Sequence, residues 1–222
     1  MPLISSCPQL MDYIQEIGFL PLLSNGVRGF SAEEVVSPEC RYHVLEDGGW
    51  EWPLWKWKGS IITESDCMYG KFFDGKAGFI SRRWWSDFCN WRRSRPAIKQ
   101  SDNQAIEETI IDILRVNGSM ITRELRAACG FDGPKMRSRF DGYVTRLQMA
   151  CRVVTEDFVY PRDRHGRPYG WGWTLLTTPE QLLGIEANSC ASSPQQSRDR
   201  IIRHLREILP QESDEALNRI VG

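Results

Sequence analysis

The stretch "MITRELRAACGFDGPKMRSRFDGYVTRLQMACRVV", residues 120–154, contains two helical patterns separated by a short turn. The first pattern begins near Thr122 and runs through "RELRAAC", and "GFDGP" is typical of a turn. The second runs from about Pro134 to Cys151, and proline favours the first turn of a helix. Its apolar residues recur at helical spacing: Met136, Phe140, Tyr143, Val144, Leu147 and Cys151. This segment therefore predicts a helix–turn–helix.

The flanking segments complete a larger pattern. Upstream, an apolar stripe predicts a helix from about Gln104 to Val116, which Asn117 and Gly118 can cap. Downstream, "RVVTEDFVYP" predicts a strand, "RDRHGRPYG" a polar turn and "WGWTLLT" a return strand. The predicted order is therefore a helix, a helix–turn–helix and a hairpin with a basic tip. A winged helix-turn-helix has this order of elements.

Basic residues concentrate on two elements of this pattern. In a winged helix the third helix lies in the major groove, where Arg and Lys contact phosphates and guanine edges, while the wing contacts the backbone or minor groove. We therefore expect double-stranded DNA as the partner. The candidate DNA-binding residues are Lys135, Arg137, Arg139 and Arg146 on the third helix and Arg162, Arg164, His165 and Arg167 in the wing. The alternative is a solvated basic face on a helix that packs only against a protein partner.

The N-terminal half is dominated by aromatic residues, above all in "GGWEWPLWKWKG", residues 49–60. Trp residues two apart predict strands, in which Lys56 and Lys58 would point away from the indoles. "SIITES" also predicts a strand, and "FFDGKAGFI" predicts a hairpin around Asp-Gly. Residues 81–95 predict an amphipathic helix with aromatic residues on the core side. We expect the Trp pairs and this helix to share one core rather than to form base-stacking platforms.

These patterns predict an α+β protein in which a winged helix-turn-helix domain is joined to an aromatic-rich N-terminal domain. The predicted boundaries are residues 1–95 for the Trp-rich domain, 96–184 for the winged helix, and 185–222 for a Ser-rich linker and C-terminal helices. The apolar faces of the C-terminal helices make them the candidates for homo-oligomer formation.

Composition narrows the function classes. The formal net charge is −1, so attraction to DNA has to come from local charge segregation. The start "MPLISSCPQLMDYIQEIGF" lacks signal-peptide features and no apolar run approaches a membrane span, which predicts a cytoplasmic protein with no membrane partner. The seven Cys and three His are scattered, so we assign no metal. No catalytic motif and no cofactor-binding motif is present, so we assign no catalytic residue and no cofactor.

The chain resembles the winged-helix proteins related to the AlkZ/YcaQ DNA glycosylases in three segments. They are residues 120–154, "YPRD…YGWGWTLL" and "PLWKWKGSIITE…YGKFFDGKAGFIS". The resemblance covers roughly residues 10–184 and implies a DNA-binding winged helix in a bacterial cytoplasm, in the context of DNA repair. The glycosylases use a glutamine–aliphatic–glutamine motif to position water. Here Gln148 precedes Met149 and Ala150, and Gln9 precedes Leu10 and Met11, so neither site carries the second glutamine.

Three functional hypotheses remain open at this point. The first is a non-enzymatic DNA-binding protein, which the helix–helix–hairpin order and its basic residues favour. The second is a DNA glycosylase that acts on alkylated or crosslinked bases, which the resemblance and the abundant Trp favour. The third is a protein-interaction module, which the near-neutral net charge favours.

Overall fold

The fold combines α-helices with antiparallel strands in the computed structural model, which describes residues 3–95, 104–133, 136–167 and 170–222. Within these residues the helices are α1 (Cys7–Ile17), α2 (Ala32–Val35), α3 (Pro53–Glu64), α4 (Arg82–Ser94), α5 (Gln104–Asn117), α6 (Thr122–Ala128), α7 (Arg137–Met149), α8 (Pro179–Leu183), α9 (Pro194–Ile208) and α10 (Asp214–Val221). The strands are β1 (Phe19–Pro21), β2 (His43–Val44), β3 (Trp50–Glu51), β4 (Cys67–Phe73), β5 (Lys76–Ser81), β6 (Met120–Ile121), β7 (Val154–Val159) and β8 (Trp173–Thr177). The predicted mixture of helices and strands is confirmed.

One antiparallel sheet runs through both halves of the sequence. Its six strands lie in the order β1–β5–β4–β7–β8–β6, while β2 and β3 form a separate ribbon. The two halves meet where β4 pairs with β7, with Tyr69 opposite Thr155. Backbone hydrogen bonding therefore couples strands that lie more than 80 residues apart in the sequence.

The β4–β5 hairpin confirms the prediction made from "FFDGKAGFI". Asp74 has a φ of 52° and Gly75 a φ of 75°. Two successive residues with positive φ suit the tight hairpin turns for which Asp-Gly is favoured. The hairpin supplies the centre of the sheet on the N-terminal side.

Two clusters of buried apolar side chains lie in the described residues. The first is built from the N-terminal half and also takes in the C-terminal helices through Ile201, Leu205, Leu217, Ile220 and Val221. The second is built from α5, α6, α7 and the strands around them, with Ile110, Leu114, Leu125, Phe140 and Leu147 at its centre. The inner faces of α9 and α10 are thus covered by their own chain, and a homo-oligomer would have to use their outer faces. The predicted domain boundaries stay a prediction.

The strand prediction for the second half of the Trp run is wrong, because α3 begins at Pro53 and continues through residues 60–64. Proline at the first helical position has the right φ and loses no needed hydrogen bond. Leu54, Lys58, Ile61 and Ile62 are buried at spacings of four, three and one, which defines one helical face. The prediction that "SIITES" forms a strand fails for the same reason.

The helix predicted for residues 81–95 is confirmed as α4, and its aromatic residues face the core. Trp85, Phe88 and Cys89 are fully buried. Arg92 is buried as well and donates to the carbonyl oxygen of Phe72 at 2.6 Å. Arg93 donates to the carbonyl oxygen of Cys151 and forms an ion pair of 2.7 Å with Glu180. Arg92 is therefore held in the interior, while Arg93 ties α4 to Cys151 and α8.

Candidate nucleic-acid interface and Trp cavity

The first turns of α7 carry two exposed arginines. Phe140, Tyr143 and Leu147 turn one face of this helix into the second core, so the opposite face is left to solvent. The side chain of Arg137 is 76 % exposed, and its Nε lies 3.9 Å from the Asp141 carboxylate. Arg139 is exposed and donates from Nε to the Tyr143 hydroxyl at 3.1 Å. The guanidinium groups of Arg137 and Arg139 therefore remain accessible to an anion.

The last turns of α7 differ, because their cations are paired with carboxylates of α5. Arg146 Nε donates to Glu107 at 2.7 Å, and the guanidinium also lies 4.7 Å from the Tyr143 ring centroid. Arg152, just past the helix, donates to both oxygens of Glu108 at 2.8 and 3.2 Å. These contacts neutralise part of the charge that the sequence placed on this helix. Lys135 lies outside the described residues.

The β7–β8 loop, residues 160–172, presents the other basic candidates. Asp163 accepts hydrogen bonds from the backbone N–H groups of His165 and Arg167 at 2.8 and 2.9 Å. Arg162 donates to the carbonyl oxygen of Gly166 at 2.8 Å, and Arg164 Nε donates to His165 Nε2 at 3.0 Å. The carboxylate therefore organises the turn, while the side chains of Arg162, Arg164, His165 and Arg167 stay exposed.

A cavity of about 360 Å³, here called the Trp cavity, lies beside these elements. Its volume falls within the range of roughly 300–1,000 Å³ typical of small-molecule sites. The aromatic lining residues are Trp55, Tyr69, Phe158, Trp171 and Trp173. The polar lining residues are Lys58, Lys71, Thr122, Arg137, Asp141, Gln148, Thr155 and Thr174. The structure thus brings Arg137 of α7 and the end of the β7–β8 loop to one site, together with α3 of the N-terminal half.

The rim of the Trp cavity is a cluster of stacked indoles. Trp171 stacks on Trp50, with ring centroids 4.8 Å apart and planes 13° apart, and meets Trp55 edge-on at 5.4 Å. Trp52 stacks on Trp55 at 4.9 Å. Trp50, Trp171 and Trp173 are 46, 51 and 38 % exposed. Three indoles of the Trp run, Trp52, Trp55 and Trp57, pack against the core as expected, whereas Trp50 is exposed.

Lys58 is the least expected residue of the cavity. Its side chain would point outwards on a strand, but on α3 it follows Leu54 by one turn and is 1 % exposed. Its Nζ lies 3.1 Å from the Trp55 ring centroid and 3.8 Å from that of Phe158. Across the described ranges, no carboxylate forms an ion pair with this amine and no group forms a hydrogen bond with it. Burial lowers the pKa of Lys58 to about 7.

Gln148 joins three elements of the fold. It is one of the two glutamines that resemble the first half of the glutamine motif. Its Oε1 accepts from the backbone N–H of Lys71 at 3.0 Å, and its Nε2 donates to Thr155 Oγ1 at 3.4 Å. It therefore links α7 to β4 and β7 next to the strand junction. Gln9 instead accepts from the backbone N–H of Ser5, four residues away, at the start of α1.

Comparison with known families agrees with the resemblance noted in the sequence. A family model described as "AlkZ related" matches residues 4–222. The chain belongs to the AlkZ-related family. No curated protein and no solved structure matches it.

In the parts of the AlkZ-related chain that the structure describes, no helix has the length and apolar character needed to cross a membrane. Those same parts contain no group of three or more His, Cys, Asp or Glu side chains placed to hold a metal ion.

Two features of this site differ from the sequence-based expectations. Trp171 was expected only as part of a return strand, although the alternation of Gly and Trp in "YGWGWT" marks indoles on a turning backbone. Lys58 was assigned to the wrong face, although its spacing of four from Leu54 and three from Ile61 is a helical signal.

Proposed function

We propose that this AlkZ-related chain binds double-stranded DNA through a winged helix made of α5, α6, α7 and the strands β6–β8. The order of these elements supports the proposal, as does the pairing of β6 and β7 with β8. In this assignment α7 is the recognition helix and the β7–β8 loop is the wing. Membership of the AlkZ-related family adds a link to DNA repair.

The observation that carries the proposal is the shared position of Arg137, Trp171 and Trp173 on the wall of one cavity. A recognition helix and a wing both contact the duplex, so a cavity between them lies next to the DNA. Stacked and exposed indoles bind bases through their π faces without regard to sequence. We therefore propose that the Trp cavity receives a base that has left the double helix.

Charge segregation makes binding feasible for a chain with a net charge of −1. On α7 and the β7–β8 loop, the exposed cations that are not paired with α5 are Arg137, Arg139, Arg162, Arg164 and Arg167, with His165 beside them. Arg146 and Arg152 contribute less, because each already pairs with a glutamate of α5. A contact of this kind is electrostatic and weakens as salt displaces the phosphate contacts.

A salt titration of duplex binding tests the winged-helix assignment. Each phosphate contact contributes about −0.9 to the slope of log K against log salt. We expect Arg137→Gln and Arg139→Gln each to reduce the magnitude of that slope by about 1. Arg152→Gln is the matched control, since Glu108 already holds that guanidinium, and should leave the slope unchanged. Absence of duplex binding at low salt contradicts the assignment.

A second titration tests the role of the Trp cavity. Two duplexes are compared, one fully paired and one with a single unpaired base. Stacking of a base on an aromatic side chain is worth about 1–3 kcal/mol. Trp171→Ala should therefore remove most of the preference for the unpaired base while leaving the affinity for paired duplex unchanged. Trp91→Phe on α4 is the control. An equal loss for both duplexes would show that Trp171 contacts only the DNA backbone.

Base excision is a second candidate function, because the Trp cavity is large enough for a ligand and the chain is AlkZ-related. Incubation with alkylated or crosslinked duplex, followed by an assay for abasic sites, separates a glycosylase from a protein that only binds. Abasic sites that form with the wild type and not with Trp171→Ala would favour the enzyme.

A further inference from the structure

We propose that the side chain of Lys58 is a nucleophilic amine that condenses with an aldehyde carbon presented in the Trp cavity. Where the cavity receives DNA, as proposed above, the aldehyde is the open-chain C1′ of a deoxyribose that has lost its base. This inference rests on the proposed function for its substrate class but not for the reactivity of the amine.

The first argument is the position of Lys58. Lys58 lines the Trp cavity. Its Nζ keeps a small area in contact with solvent. Its neighbours are the faces of Trp55 and Phe158 rather than a carboxylate. A purely structural role would be filled better by an apolar side chain, because burial of an amine without a hydrogen-bond partner costs free energy.

The second argument is the protonation state that this position imposes. Burial removes water from the ammonium form, and this desolvation lowers the pKa of Lys58 to about 7. An amine with this property is a nucleophile at neutral pH, which is how lysines in apolar pockets form imines with carbonyl compounds. At pH 7 it holds on the order of 1,000-fold more neutral amine than an ordinary lysine.

The third argument is the fit between the electrophile and the cavity. A nucleotide without a base leaves a gap in the stack, and the indoles of the rim can fill it with their apolar faces. Arg137 on the cavity wall can hold the adjacent phosphate. The aldehyde of such a sugar is the carbonyl electrophile that DNA itself supplies.

The reaction balances without any oxidant or metal. The nitrogen lone pair of Lys58 forms a bond to C1′ while the π electrons of the carbonyl move to its oxygen. The two protons of the amine pass to that oxygen through solvent water, and the oxygen departs as a water molecule. The product is an imine between Lys58 and the sugar.

The experiment traps the imine with cyanoborohydride, which supplies the hydride that turns it into a stable secondary amine. One arm uses duplex DNA with a single abasic site, and the other uses benzaldehyde as a small probe that requires no DNA binding. Peptide mapping locates the modified residue. We expect modification at Lys58 in both arms, with the benzaldehyde rate rising to half its maximum near pH 7.

Variants make the assignment specific. Lys58→Arg keeps a long basic side chain but forms no imine, so the adduct should be lost. Lys56→Arg, at an exposed position of the same helix, should retain it. Lys58→Met provides a second variant if the bulkier arginine disturbs the fold, and circular dichroism checks both. An adduct that persists in both Lys58 variants overturns the inference.

The two arms also separate this inference from the proposed function. Salt-dependent duplex binding without an adduct at Lys58 overturns the inference and leaves DNA binding in place. If no duplex is bound, the proposed function fails and the benzaldehyde arm decides the rest. Selective labelling of Lys58 then supports a reactive amine in the cavity, and its absence overturns the inference.

Discussion

Replacing Lys58 by Met removes a single amine from the Trp cavity and keeps an unbranched, apolar side chain in its place. In the folded protein burial lowers the pKa of Lys58 to about 7 from its ordinary 10.5. In the unfolded chain the amine is in water and keeps its ordinary pKa. Between these two values the unfolded chain therefore binds a proton that the folded chain does not bind.

The sign of the effect follows from that proton. Stability rises with pH wherever the unfolded state binds more protons, here by about 1.4 kcal/mol per pH unit. The destabilisation by Lys58 is complete below pH 7 and absent above pH 10.5. The full interval corresponds to roughly 5 kcal/mol. Most of this range, on the order of a few kcal/mol, should appear between pH 6 and pH 10.

Urea unfolding followed by circular dichroism, repeated in steps from pH 6 to pH 10, measures the effect. The quantity of interest is the free energy of unfolding of Lys58→Met minus that of the wild type. It should be largest at the acidic end and decline as pH rises, since the cysteines and tyrosines that titrate in this range are common to both proteins. Lys56→Met controls for the loss of a lysine from α3. A difference that stays constant across the range would refute the argument that Lys58 is neutral at high pH and penalised at low pH.

Three further predictions concern the parts of the fold that hold the site together. Gln148→Leu leaves the Lys71 N–H without its acceptor, and should lower the free energy of unfolding in urea by about 1–3 kcal/mol; no change would mean that water replaces the amide. Burial opposes ionisation of Asp87, but hydrogen bonds from Arg200 and Ser197 prevail and lower its pKa. Asp87→Asn should therefore destabilise the protein by about 1–2 kcal/mol at pH 7, with the difference disappearing as pH falls below the pKa of the folded carboxyl. Asp163→Ala removes two backbone hydrogen bonds of the β7–β8 loop, and its amides should then exchange faster with deuterium while those of α7 keep their rates.

The sequence predicted those elements whose signal is local. The apolar spacing predicted helices over about 104–116 and 134–151, close to the observed Gln104–Asn117 and Arg137–Met149, and Asp74-Gly75 predicted the hairpin. The strand prediction for the Trp run was wrong because the alternating Trp residues competed with Pro53, which favours a helix start. Burial of Leu54 and Ile61 on one face stabilises the helix. A run as short as this one fits both the strand period and the helix period, so its spacing did not decide between them.

The site itself could not be predicted from local patterns, since its contacts join distant parts of the chain. Nothing near Tyr69 indicates that it pairs with Thr155, and nothing near Arg146 indicates that Glu107 will neutralise it across 39 residues. The basic pattern identified which cations are present. Tertiary packing determined which of them remain available and which serve the interior.

The division of the Trp cavity between the two halves of the chain has a consequence for how this protein can evolve. One wall comes from residues 55–77 and the other from residues 122–176. Shuffling either half into another gene would carry away only part of the cleft and leave Lys58 beside open solvent. Neither half of the chain alone encloses this cavity, and a substitution on either wall can reshape it.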